Sequence, residues 1–386
     1  MLFAQTASVI GISLCGFCNR MTLTLSVMFC LALVVATLLS LDALRRGLTH
    51  AMDQSGSSEI ALIMRGGSQS EMNSSLSGDQ VNILESAPGT VALSPEVNLI
   101  VDGSQITDGQ RANVGLRGLS ETGIAMRGNV SLTEGRWPSM GAAELAVGAD
   151  VARRYHGFAF GDRVRLGATD WIVVGIFEAG GGVAASEIWA DLTAAQTLFD
   201  RTNTVQSVRA RLVDAGETAE LADFVERDPR LNLSVQTEAT YYTAQASRSR
   251  ELVQNLAWPL AILMAIGALV GALNIMLASL SERRVEIATL RSVGYSRRSI
   301  CSGLVIEHIL ICLSAGAVGA AVSYSVFNGA EATALSGGVT RIGYALRFSA
   351  SGLVQGLILA GLVGLFGSLI PAIAASLRPI TSDLTR

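Results

Sequence analysis

The stretch SERRVEIATLRSVGYSRRSI (281–300) joins two apolar runs, each long enough to cross a bilayer, and carries five arginines and two glutamates. Residues 282–293 contain no helix breaker and several strong helix formers. Glu286 stands three residues after Arg283, a spacing that lets the pair meet on one helix face. Gly294 suits the left-handed position that ends a helix, and Ser296 suits the cap that opens the next. The pattern predicts a span, a short helix over 282–293, a sharp turn and another span. Val285, Ile287, Ala288, Leu290 and Val293 form no single stripe, so this helix is not expected to lie wholly in lipid.

Four segments around this loop have membrane character. Met21–Leu41 and Ser351–Pro371 each run 21 residues without a charge, and Leu252–Leu280 runs 29. Ser299–Ala330 is also apolar but contains Glu307 and His308. A spanning helix needs roughly 20 apolar residues, so each qualifies. Only 16% of all residues are charged, against about 25% in ordinary soluble domains. Residues 42–251 hold no such run and must fold in water. The expected fold is therefore a four-helix membrane protein with a large α+β extracytoplasmic domain inserted between helices 1 and 2. Met21–Leu41 is longer than a signal-peptide core of about 7–15 residues, and it reads as a retained span.

Charge sets the expected orientation. The 281–298 loop is short and strongly basic, which places it in the cytoplasm. Both termini follow it inside, and residues 42–251 lie outside. The flanks of the first span oppose this, with Arg20 on one side and Arg45 and Arg46 on the other. Residues 42–251 hold 18 arginines against 27 acids, and the remainder holds 10 against 5. The expected layout is an N-terminal segment (1–20), spans at 21–41, 252–280, 299–327 and 351–375, a short external loop at 328–350 and a cytoplasmic tail at 376–386.

Every cation is arginine, since the chain contains no lysine. That excludes a Walker A phosphate loop within this sequence, which requires G-x-x-x-x-G-K-[ST], and it excludes Schiff-base chemistry. The five cysteines (Cys15, Cys18, Cys30, Cys301, Cys312) lie in or beside the apolar segments, so no disulfide frames residues 42–251. Cys15-Gly-Phe-Cys18 has C-x-x-C spacing without the strand–helix setting of a redox motif. Glu307-His308 invites a protease or proton-relay reading. No second histidine stands at H-E-x-x-H spacing, and Glu307 lies only about 12 Å along the helix from Ser299 at ~1.5 Å per residue.

Within 42–251, VNLIVDG (97–103), DRVRLG (162–167) and DWIVVGIF (170–177) read as strands, and AAQTLFD (194–200) and TAELADFVERD (218–228) as helices. Gly180-Gly181-Gly182 reads as a loop, and so does the Ser/Gly-rich second half of 57–79. Residues 40–53 and 237–255 are expected as helical stalks continuing the first two spans. Gly267-x-x-x-Gly271, Gly316/Gly319 and Gly361/Gly364/Gly367 leave thin helix faces for close packing.

The block GALNIMLASLSERRVEIATLRSVGYSRRSI (271–300) resembles the signature of FtsX/MacB-type (type VII) ABC transporter permeases, in which the second span runs into an R-x-x-E-I-x-x-L-R-A-x-G helix. Arg283, Glu286, Ile287, Leu290, Arg291 and Gly294 occupy the matching positions, with Ser292 where alanine is frequent. PAIAASLRP (371–379) is similar to the family ending, and residues 132–192 are similar to its periplasmic core domain. The resemblance covers nearly the whole chain, with 252–380 as the FtsX-like permease domain. It departs at the N-terminus, where SLCGFCNRM (13–21) offers only Arg20 as a basic residue.

The resemblance implies a non-catalytic permease or mechanotransmission subunit of a bacterial inner membrane. Those six residues would couple it to a separate cytoplasmic ATPase, and its stalks would carry movement to the external domain for export or extraction of a substrate. A second permease copy or paralogue, a periplasmic adaptor and membrane lipid are the partners it implies. No cofactor, metal site, catalytic residue or nucleic-acid partner is expected. The alternative is a ligand-sensing membrane module that signals through a partner protein.

Overall fold

Among the described residues, four helices are long and apolar enough to cross a membrane: Thr24–Asp53, Pro259–Glu282, Arg297–Phe327 and Ala350–Leu377. The computed structural model describes Gln5, Thr6, Val9 and Gly11, then residues 21–336 and 340–377. Cys15 and Cys18, most of the N-terminal segment and residues 378–386 lie outside the described residues. The helices that carry the argument are α1 (Met21–Asp53), α2 (Glu238–Glu282), α3 (Arg284–Ser292), α4 (Arg297–Phe327) and α5 (Ala350–Leu377). Helices α1 and α2 run on well past the apolar segments. They include 40–53 and 238–255 of the stretches expected as stalks, with Thr237 ending a strand instead, and α2 reaches 45 residues.

The chain forms two compact units. One comprises Met1–Arg46, Leu252–Ala330 and Leu346–Arg386, the other Gly47–Glu251 with Glu331–Ala345. In the helical unit, glycines let the helices approach. A Cβ on Gly316 of α4 would stand 2.7 Å from Ala360 of α5, and one on Gly367 of α5 would stand 2.9 Å from Ala272 of α2. Gly319 lies against the Ala32 backbone of α1, and Gly364 against Ile309 and Cys312. These small residues serve packing within the chain. Gly267 and Gly271, in contrast, face open space among the described residues.

The second unit is built on a ten-stranded sheet. Its strands are β1 (Ile60–Arg65), β2 (Thr90–Ser104), β3 (Arg111–Leu119), β4 (Ser131–Gly135), β5 (Glu144–Gly148), β6 (Arg163–Leu166), β7 (Thr169–Glu178), β8 (Glu187–Asp191), β9 (Ser207–Leu212) and β10 (Leu233–Thr237). The order is β10-β1-β9-β2-β3-β8-β5-β7-β4, with β6 also paired to β7. Most pairs are antiparallel, while β3–β8 and β5–β7 are parallel. The stretches 97–103, 162–167 and 170–177 fall on β2, β6 and β7. The two expected helices occur at Leu192–Leu198 and Thr218–Arg227. Residues 71–84 are more ordered than a loop, because Ser77 and Gln80 form a reciprocal capping box that starts the helix Gly78–Leu84.

Residues 328–350 differ from a plain loop. They contain a hairpin of β11 (Glu331–Ser336) and β12 (Thr340–Ala345). The hairpin joins the sheet unit through Glu331, whose carboxylate accepts from Arg154 at 2.6 Å, and through the Gly343 amide, which donates to the Ser186 hydroxyl at 2.9 Å. Those contacts depend on residues far away in sequence, which is why local pattern suggested only a loop.

Candidate functional site

Helix α2 ends at Glu282, and α3 begins at Arg284. Arg283 is the joint between them, with φ −93° and ψ 8°. Its side chain is 4% exposed, and its guanidinium is held on two sides. It donates to Glu307 of α4 at 2.8 Å and to Glu286 of α3 at 3.4 Å. The acid that stood out in the third apolar segment is therefore the counter-charge for the joint. An uncompensated carboxylate among apolar helices would be costly, and so would an uncompensated arginine; together they fix the end of α2, α3 and α4.

The far end of α3 is closed by backbone geometry. Gly294 has φ +105°, a region that L side chains avoid. The Tyr295 amide donates to the Leu290 carbonyl at 3.1 Å and the Gly294 amide to the Arg291 carbonyl at 3.2 Å. This is the Schellman arrangement, which satisfies carbonyls that the helix end leaves open. Ser296 then caps α4, its hydroxyl accepting from the Ser299 amide at 3.1 Å. The Gln5 side-chain oxygen accepts from the Ser299 hydroxyl at 3.2 Å, and Val9 packs where a Cβ on Gly303 would fall. The described N-terminal residues thus lie against the start of α4.

The apolar residues of α3 that formed no single stripe divide by neighbour. Ile287 and Ala288 are buried, and Leu290 is half-buried against the same cluster, which includes Met276, Leu280, Ile300, Leu304 and Ala372. Val285 and Val293 point away, at 60% and 73% exposed. Arg284, Thr289 and Ser292 are exposed with them. Of the six residues expected to couple, Arg283 and Ile287 are buried, and Glu286, Leu290 and Arg291 are half-buried; Gly294 forms the turn. The geometry brings these six together as the seat and frame of the helix. The outward surface consists of residues that the motif does not name. Among the described residues, no group of three or more His, Cys, Asp and Glu is placed to hold a metal ion. His308 is buried in α4, and its Nε2 has no hydrogen-bond partner among the described residues.

A second constellation, in the sheet unit, escaped the sequence reading. Glu96 (β2), Arg117 (β3), Glu187 (β8) and Arg209 (β9) project from one face of four adjacent strands, joined by Glu71, Arg127 and Glu238. Arg117 donates to Glu187 at 2.7 Å, to Glu71 at 2.8 Å and to Glu96 at 2.9 Å. Arg127 meets Glu96 at 2.8 Å, and Arg209 meets Glu71 at 2.8 Å, Glu238 at 2.7 Å, and Glu96. Burial alone would raise the Glu96 carboxyl, but Arg127, Arg209 and Arg117 outweigh it and hold it down to about 2. Burial opposes ionisation of Glu187 as well, and Arg117 brings it to about 2. The guanidinium groups thus favour the ionised form of both carboxyls.

Residues 21–227 match the MacB-like periplasmic core domain, and residues 259–380 match the FtsX-like permease C-terminal domain. The chain belongs to the MacB/FtsX-type permease family. It is accordingly a multi-pass membrane protein of the ABC-permease kind. The macrolide export ATP-binding/permease protein MacB of Hahella chejuensis is 28% identical over 230 residues, covering 57% of this chain and 34% of that protein. MacB of Escherichia coli is 36% identical over 122 residues, covering 31% of this chain and 18% of that protein. The periplasmic region of MacB from Actinobacillus actinomycetemcomitans aligns with TM-score 0.38 and 14% identity, over 50% of this chain and 94% of that one. The chain spans about a third or less of the length of these two curated relatives.

Proposed function

We propose that this permease couples nucleotide hydrolysis on a separate cytoplasmic ATPase to movement of its sheet unit on the opposite side of the membrane, for export or extraction of a substrate. The observation that carries this reading is the seating of α3. Its inner side is fixed by the Arg283–Glu307 pair and by Ile287, while Val285, Thr289, Ser292 and Val293 stand outward with Arg284. A rigidly held helix with a mixed apolar and basic outer surface suits insertion into a cleft of a partner protein. The termini are then cytoplasmic, and the membrane is a bacterial inner membrane. Two permease copies work together, with Gly267 and Gly271 on the face that a neighbouring helix approaches, and an adaptor meets the sheet unit outside.

The test is co-purification from native membranes. Val285→Asp and Val293→Asp are expected to leave the chain inserted while the ATPase is lost from the purified complex. Undiminished ATPase with both variants would refute the docking assignment. A thiol engineered at Ser292 that reacts only with reagent added outside the cell would invert the topology and remove the reading altogether.

A further inference from the structure

The sheet-unit ends of the two long helices meet each other at the buried charge cluster. The Ser57 amide, just beyond α1, donates to the Glu238 carboxylate at 3.3 Å, and the Ala239 amide in the first turn of α2 donates to the Ser57 carbonyl at 3.1 Å. A Cβ on Gly56 would stand 2.7 Å from the Ala239 Cα, so the two backbones are in direct contact there. The other oxygen of Glu238 accepts from Arg209 at 2.7 Å, and Glu238 is 5% exposed. One turn further, the Tyr241 hydroxyl accepts from the Glu71 amide at 3.2 Å. The α1 end is pinned independently: the Val183 amide donates to the Ser55 hydroxyl at 2.7 Å, and the Asn129 side chain to the Gln54 carbonyl at 2.9 Å.

We infer that this cluster is a clasp fixing both helix roots to the sheet, and that Glu238 is its positioning residue, a side chain that links the α1 root, the α2 root and strand β9. A cluster chosen for stability alone would do as well with apolar side chains, because burying ion pairs gains little over good packing. Apolar contacts, however, let a helix slide, whereas directional charge-assisted hydrogen bonds hold one orientation. Glu238 also sits in the first turn of α2, where the helix dipole favours an anion. Beside the clasp opens a cavity of about 480 Å³, lined by Gln54, Ser57, Arg127, Glu187 and Glu238 among others. Freed roots therefore have space to move without repacking the core. The clasp stands on this geometry; its mechanical use, as the joint through which helix movement reaches the sheet, rests on the function proposed above.

The experiment is hydrogen–deuterium exchange on the full chain in lipid nanodiscs, following peptides 54–60 and 236–244. Glu238→Gln is expected to speed exchange in those two segments at least tenfold and to leave β2, β3 and β9 protected. Glu238→Asp, which keeps the charge, should restore most of the protection. Glu187→Gln removes the same charge from the opposite end of the cluster and should leave the roots protected. The inference is overturned if Glu238→Gln loosens the whole sheet evenly, if it leaves the roots unchanged, or if Glu187→Gln frees them equally. Adding ATP to the complex with its ATPase then tests the deeper reading. A nucleotide response in β9 that Glu238→Gln abolishes supports transmission through the clasp. Complete absence of that response in the unaltered protein counts against the transporter reading, while the nucleotide-free exchange decides the clasp by itself.

Discussion

Replacing Arg283 by glutamine removes the charge that faces Glu307 while keeping most of the side-chain volume. Breaking a buried ion pair by removing one partner costs about 3–5 kcal/mol. Glu307 retains 14% exposure, and the Glu286 contact at 3.4 Å is weak, so the lower end, ~3 kcal/mol, applies. At 1.4 kcal/mol per tenfold, this raises the open population of the surrounding helices about a hundredfold. A native probe lies close by. Cys312 is wholly buried between α4 and α5, five residues beyond Glu307. With Cys15, Cys18, Cys30 and Cys301 replaced by serine, its labelling by a thiol reagent in detergent reports opening of that region. Arg283→Gln should accelerate labelling by about two orders of magnitude by the same arithmetic. The double variant Arg283→Gln/Glu307→Gln should return most of the way, because it also removes the Glu307 charge that the single variant strands. If the double variant labels as fast as the single one, or if the single one is unaffected, the two residues are not energetically coupled. Arg283 would then not be the joint described above.

Other outcomes follow from the same geometry. Gly294→Val meets open space, so its cost is backbone strain alone, about 1–2 kcal/mol; ATPase co-purification should weaken while insertion, checked by protease protection, is unchanged. Leu290→Asp should lower both complex formation and thermal stability, because Leu290 faces the helical unit, whereas Val293→Asp should affect complex formation alone. Gly316→Leu would drive a side chain into Ala360 and, as overpacking, should cost about 1–3 kcal/mol, read by detergent thermal unfolding. Folded-state values for Glu96 and Glu187 are depressed from 4.5 to about 2. Their contribution to stability is thus complete above the unfolded value and is lost as pH falls from about 4.5 through 2. The melting temperature of the sheet unit should drop over that window, and Glu96→Gln should flatten the slope.

Much of this protein was legible from local pattern, for definite reasons. Gly294 and Ser296 could be placed because a left-handed turn and a helix cap need particular residue types regardless of what surrounds them. Strands β2, β6 and β7 showed their β-branched runs for the same kind of reason. The division of α3 into seat and outward surface was not legible, since Val285 and Ile287 are equivalent as residue types; only their neighbours differ. Glu307 was visible as an anomaly, but its partner lies one helix away. The charge cluster of the sheet unit left no local signal. Alternating polar residues such as Ser94, Glu96 and Asn98 have the pattern of the solvent face of an antiparallel strand, and nothing local reveals that Glu96 is buried among arginines.

By itself, the sequence determined four apolar helices, the large α/β domain inserted after the first of them, and the short basic helix with its terminating turn. Hydropathy over some twenty residues and backbone preferences at single positions are local quantities, so they can be read without a fold. Tertiary structure alone decided that Arg283 pairs with Glu307, that the 331–345 hairpin joins the sheet unit, and that Arg117, Arg209 and Glu238 gather with their partners in one buried cluster. Those contacts join residues far apart in the chain, and their energies depend on strand register, burial and ångström-scale distance, which exist only once the chain has folded.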